Sequence, residues 1–100
     1  MYRLFKIFFL TIILINFSNI SYSKEDFYNE GVKLFEKKKY EEAKFLFERS
    51  IVFDPKHSNS YLYLAKIYKD KKDQINEEKN LNATLLINPA NEEAILMLME

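Results

Sequence analysis

The sequence predicts an all-α protein built from helix pairs that recur along the chain. Three observations predict it. Gly31 is the single glycine and Pro55 and Pro89 are the only prolines, while Leu, Lys, Glu and Ala recur throughout, as in chains that are mostly helix. Apolar residues fall three or four positions apart, and no run shows the strict two-residue alternation of a half-buried strand. Finally, Asp54-Pro55 and Asn88-Pro89 interrupt the helical pattern twice, because proline disfavours a helical conformation in the residue before it, and Pro89 follows Pro55 by 34 residues.

The first 23 residues, "MYRLFKIFFLTIILINFSNISYS", differ from the rest. Arg3 and Lys6 precede an apolar run from Ile7 to Phe17, and a polar stretch ends in Ser21-Tyr22-Ser23. These are the three parts of a secretory signal, with small residues at 21 and 23 suited to cleavage before Lys24. As a helix the run would span roughly 16 Å, against a hydrocarbon core of about 30 Å. Residues 1–23 are therefore expected to be a signal peptide, or an N-terminal membrane anchor through residues 4–20 if uncleaved. In both cases the positive end stays in the cytoplasm and the remainder is exported, to the periplasm or to the periplasmic face of the inner membrane. That compartment is the expectation for an exported, cysteine-free helical domain.

From Lys24 the elements follow in order. Phe27, Gly31 and Leu34 make one apolar stripe, and Lys37, Lys38 and Lys39 form a solvated turn after it. Tyr40, Ala43, Phe47, Ser50 and Ile51 make a second stripe, which "FDPKHSNS" ends, with Ser58 placed to cap the next helix. Tyr61, Leu64, Ala65 and Tyr68 form a third, and Leu81 and Leu85 a fourth that stops at Asn88-Pro89. Residues 92–100 begin a further helix. Ser23 is itself positioned to cap the first of these helices. Small residues at 31, 43 and 65 allow helices to approach closely, while Phe27, Phe47, Tyr61 and Leu81 fill the space between pairs. Each such large side chain contributes about 1.5–3 kcal/mol on burial, so these aromatics serve stability first.

Charge and composition exclude several classes of function. Beyond residue 23 there are 13 basic and 15 acidic side chains, a balance of −2, which offers nucleic acid no general attraction. The absence of cysteine excludes disulfides, iron–sulfur clusters and thiol catalysis. His57 is the only histidine and has no evident second ligand, so it reads as a solvated turn residue; no catalytic residue, metal or cofactor is expected. Glu41 and Glu42, Glu77 and Glu78, and Glu92 and Glu93 stand near helix starts, where carboxylates complement the helix dipole.

The interval of 34, together with the residue types that keep step with it, resembles the tetratricopeptide repeat. Phe27, Gly31, Tyr40, Ala43, Phe47 and Pro55 meet the family pattern over residues 24–57, with Leu34 where tyrosine is usual. Tyr61, Leu64, Ala65, Tyr68, Leu81 and Pro89 meet it over 58–91, and 92–100 stand as a partial third repeat or capping helix. Period and residue type agree together, which makes the match specific. Glu77 departs from it, standing where the family has a small residue, and Ser50 and Thr84 replace alanine, so either looser packing in the second pair or a shifted start of its helix is expected.

The resemblance implies antiparallel helix pairs stacked as a short right-handed solenoid, with a concave face that binds protein segments. Carried onto this chain, that face comprises Tyr28, Val32 and Phe35 at an apolar end and Leu62, Lys66 and Lys69 at a basic end. The lysine and asparagine constellation by which some relatives hold a C-terminal carboxylate is not matched, since Tyr28 and Val32 occupy two of its positions. The expected function is a non-enzymatic adaptor that binds protein partners and no nucleic acid. The alternative is a membrane-anchored structural protein that self-associates through its apolar C-terminal helix.

Overall fold

The computed structural model describes residues 24–100, with side chains from residue 26 onward; the expected signal or anchor and the cap at Ser23 lie outside them. Five helices follow one another without a strand among the described residues: α1 (Lys24–Glu36), α2 (Tyr40–Phe53), α3 (Ser58–Asp70), α4 (Gln74–Ile87) and α5 (Glu92–Met99). Their limits recur at one interval. Ser58 and Asp70 stand 34 residues after Lys24 and Glu36, Gln74 and Ile87 stand 34 after Tyr40 and Phe53, and Glu92 stands 34 after Ser58.

The turns recur with the helices. After α1, Lys38 adopts φ 62°, its N–H donates to the Phe35 carbonyl at 2.9 Å, and the Lys39 N–H donates to the Leu34 carbonyl at 2.9 Å. After α3, Lys72 adopts φ 61°, with the equivalent bonds from Lys72 to Lys69 at 3.0 Å and from Asp73 to Tyr68 at 2.9 Å. Both are Schellman endings, in which a left-handed residue lets two backbone N–H groups turn back and satisfy the last carbonyls. The connections after α2 and α4 match as well: Asp54 N–H donates to Ser50 O at 2.9 Å and Asn88 N–H to Thr84 O at 2.8 Å. Tyr61 fastens α3 to the preceding connection by donating its hydroxyl to the Pro55 carbonyl at 3.0 Å. Pro55 and Pro89 themselves are exposed and act on the backbone rather than by packing.

Within the first pair the helices run antiparallel. Phe27, at the start of α1, stacks on Phe53 at the end of α2 with ring centres 5.3 Å apart, while Phe35, at the end of α1, meets Tyr40 at the start of α2 edge to face at 5.3 Å. One core cluster joins this pair to α3: Ala43, Phe47, Leu64 and Ile67 are buried, and Val32, Leu34, Ile51 and Tyr68 pack against them. A second joins α3, α4 and α5 through Leu62, Ala65, Leu81 and Ala94. Helix α3 therefore contributes to both.

Leu62 is the main departure from expectation. Only 4% of it is exposed, because it packs with Leu81 and Ala94, so it belongs to the core and offers nothing to a partner on an open face. The cap of α3 also differs: Ser58 is the first helical residue and His57 holds the cap position without a side-chain cap bond. The hydroxyls at Ser50 and Thr84 do not loosen the pairs. Both residues are buried, and Thr84 donates to the Asn80 carbonyl at 2.8 Å while Ser50 bonds Ser60. Glu77 is half-buried at the edge of a cleft of about 320 Å³ among α3, α4 and α5, whose floor is Leu81.

Gly31 permits the close approach of α1 and α2. A Cβ there would lie 2.8 Å from Phe47 Cε1 and 3.0 Å from its Cζ. The Phe47 ring is buried and stacked on Tyr63, so it cannot move aside cheaply. Gly31→Ala gains helix propensity of about 0.5–1 kcal/mol but overpacks the core at a cost of about 1–3 kcal/mol. A net loss of about 1–2 kcal/mol is expected in urea unfolding, and a stabilised variant would show that α1 slides freely on Phe47.

Asp73 caps α4. Its carboxylate accepts from the Asn76 side-chain amide at 2.8 Å and from the Asn76 N–H at 3.2 Å, and these two bonds hold its carboxyl below the usual aspartate range. A carboxyl depressed in the folded state contributes stability above its unfolded pKa, near 3.9, that is lost as the pH falls through the folded value. The difference in urea midpoint between the natural chain and Asp73→Ala should therefore be constant at neutral pH and shrink in acid. A gap that persists at acid pH would assign the effect to packing instead of charge.

Candidate functional site: the face of α1 and α3

Three aromatic residues meet where α1 lies beside α3. Tyr63 packs edge to face on Phe35 at 5.2 Å and on Tyr28 at 5.9 Å, and its opposite face stacks on the buried Phe47 at 5.0 Å with the rings inclined by 15°. Tyr28, Val32, Phe35 and Tyr63 are all half-buried, so each presents part of its surface to solvent while its other side packs on the core. Of the residues expected on this face, Tyr28, Val32 and Phe35 come together as one patch. Leu62 does not join them.

The basic end is compensated from within the chain. Lys66 Nζ lies 2.7 Å from Glu93 of α5 and 4.7 Å from the centre of the Tyr63 ring, so an ion pair and a cation–π contact hold it at once. Lys69 pairs with Glu100, and this contact raises the Lys69 ammonium above its usual range. The two lysines thus tie α3 to the acids of α5, and a bound anion would have to displace Glu93 or Glu100. Lys71 makes the corresponding tie across the other joint, to Glu41 at the start of α2, and lowers the Glu41 carboxyl.

Burial raises the Tyr28 hydroxyl above the usual tyrosine value; Tyr63 adds to the rise, and a hydrogen bond with Asn59 opposes it. The phenol is therefore neutral at physiological pH and is available as a hydrogen-bond donor. With Phe35 and Tyr63 beside it, the patch combines apolar area with polar tips, the composition that suits a docking surface for a protein segment.

His57 is not a solvated turn residue. Its ring lies 4.6 Å from that of Tyr28, and its Nδ1 is 2.8 Å from Ser60 Oγ, which in turn lies 2.8 Å from Ser50 Oγ. Histidine bonded to serine is a geometry that can activate a nucleophile, but here Ser60 is 0% exposed, so no substrate reaches its oxygen. The pair instead closes a polar chain between α2 and α3, and the His57 ring meets Tyr28 of α1. Among the described residues no group of three or more His, Asp or Glu side chains is placed to hold a metal.

Tyr63, Ser60 and His57 do most to shape this face, and sequence reading assigned no packing role to any of them. A signal existed. Ser60, Tyr63 and Ile67 share a second stripe of α3 at helical spacing, beside the stripe of Tyr61, Leu64, Ala65 and Tyr68. A helix with two such stripes is covered on two sides.

No protein-family model matches the chain, and no curated protein matches it in sequence.

The serine chain has a distinguishing energetic signature. Ser60→Ala removes the central hydroxyl and leaves both Ser50 and His57 without their partner, a loss of about 1–3 kcal/mol. Ser50→Ala leaves the bond between Ser60 and His57 in place and should cost less. Equal losses in urea unfolding would show that the chain of bonds does not act as a unit.

Proposed function

We propose that this chain is a tetratricopeptide-like interaction module, exported to the bacterial envelope or anchored at its inner membrane, that binds a protein segment across α1 and α3 and performs no chemistry of its own. The observation that carries the reading is the half-exposed cluster of Tyr28, Phe35 and Tyr63, with Val32 between the first two on α1. An exposed apolar patch rimmed by polar groups on a small domain commonly marks an interface. The 34-residue recurrence of helix limits and turn bonds supports stacking of the pairs as a short solenoid, in which α1, α3 and α5 would line one concave face.

The ion pairs refine the expected partner. Lys66 and Lys69 are already satisfied by Glu93 and Glu100, so recognition rests on apolar and hydrogen-bonding contacts with the tyrosine and phenylalanine side chains. A segment with one or two large apolar side chains, either helical or extended, fits such a surface. A second reading, self-association, is favoured by α5, where Leu96 is 61% and Met99 77% exposed on a helix of only eight residues.

Photo-crosslinking in the native cell separates the two. A probe replacing Val32 is expected to yield a discrete adduct with another envelope protein that a probe replacing the exposed Lys79 of α4 does not yield. Adducts of the chain with itself alone would favour self-association, and none at position 32 in a folded protein would remove the groove assignment.

A further inference from the structure

Helix α2 carries two apolar faces. One, with Ala43, Phe47 and Ser50, is buried. The other, with Phe45, Arg49, Val52 and Phe53, follows the same helical spacing and points to solvent: Phe45 is 56%, Val52 73% and Phe53 58% exposed. Phe27 extends this second face by stacking on Phe53, and Leu34 and Leu46 continue it along an open depression of about 620 Å³ between α1 and α2. Arg49 lies among them with its guanidinium 5.3 Å from the Phe45 ring centre.

We propose that this outer face of α1 and α2 lies on a lipid bilayer surface. Its chemistry suits the interface between headgroups and acyl chains, where aromatic rings settle and an arginine can keep its charge among phosphates while its stem lies on apolar surface. Lys56, exposed just beyond the end of α2, is a second positive charge, while Glu30 lines the depression from α1 and lies 3.4 Å from Lys33. The chain's own layout supplies the location. Six residues separate the apolar run Ile7–Phe17 from Lys24, and the seven steps between Phe17 and Lys24 reach at most about 25 Å when extended. Phe27 is in the first turn of α1, so the end of the pair that bears Phe27, Val52 and Phe53 is the end nearest that run. The inference rests on the run remaining attached and inserted, and is independent of what binds at Tyr28, Val32 and Phe35.

The absence of tryptophan from the sequence allows a clean test with the full chain. Phe45→Trp and Phe53→Trp each introduce a single fluorophore on the proposed contact, and Leu96→Trp introduces one on exposed α5. In vesicles of phosphatidylethanolamine and phosphatidylglycerol, the tryptophans at 45 and 53 are expected to shift to shorter wavelength and to be quenched several-fold more by brominated acyl chains than the one at 96. Equal quenching at all three positions, or none at 45 and 53 while the chain is bound, would overturn the proposal. So would a blue shift at 45 and 53 without bromine quenching, which would indicate that a second copy of the chain covers this face. Two positions keep the test decisive should one substitution disturb the fold, and the crosslinking result at position 32 stands or falls separately.

Discussion

The contact on which the rest depends is the seat of Phe47. Its ring lies against Gly31 so closely that a Cβ there would be within 3 Å, and Tyr63 covers it in a stacked arrangement at 5.0 Å. Three helices are fixed by one side chain: α1 by the missing side chain at 31, α2 by Phe47 itself and α3 by Tyr63. Tyr28 then meets the same ring at 5.9 Å, and Phe35 meets Tyr63. The face proposed for a partner is thus the outer surface of the aromatic cluster that holds the pairs together. On that proposal recognition and stability would share residues, which is economical for a domain this small.

The joint between the pairs shows how polar atoms are accommodated in so small a core. Ser50 stands where the repeat pattern has alanine, yet its hydroxyl bonds Ser60, and Ser60 bonds His57 at the boundary with solvent. Thr84 resolves the same problem differently, by bonding a carbonyl of its own helix. The result is that no buried side-chain nitrogen or oxygen among the described residues lacks a partner. A buried polar chain costs stability when any link is missing, so its geometry also restricts how α3 can sit on α2.

Much of the architecture was legible in the letters because it depended on local signals. The proline stops, the helical stripes and the small residues at 31, 43 and 65 are each matters of backbone or near-neighbour sterics, and α2 and α4 end just before the Asp-Pro and Asn-Pro pairs, although Ser58 begins α3 and does not cap it. The face was legible only in part. Tyr28, Val32 and Phe35 do cluster, but Leu62 lies in the core, because whether a residue at that helical position is open depends on what α5 covers, a long-range fact. Tyr63 was passed over for the related reason that α3 is covered on two sides, which only the packed chain shows. His57 and Lys66 show the same limit for polar groups: their partners Ser60 and Glu93 come within range only after the chain has turned.

The distribution of apolar residues on α2 bears on what surrounds the domain. A helix that packs on one side in water carries a polar stripe on the other, and α2 carries Phe45, Val52 and Phe53 there among the exposed Glu41, Glu42, Glu48 and Arg49. Much of the area of these three large apolar side chains gains nothing from folding and, exposed on one stripe in water, favours aggregation. Isolated exposed hydrophobes such as Ile75 and Leu86 of α4 need no explanation, since every protein surface has some. The residues on α2 differ because Phe45 and Phe53 line one depression with Phe27, Leu34 and Arg49, and because Val52 and Phe53 lie at the end of the pair nearest the apolar N-terminal run. Placed against a bilayer, the outer face of α2 would become the counterpart of its inner face, with the hydrophobic effect acting on both sides of one helix, and the aromatic face of α1 and α3 would be left for a protein partner.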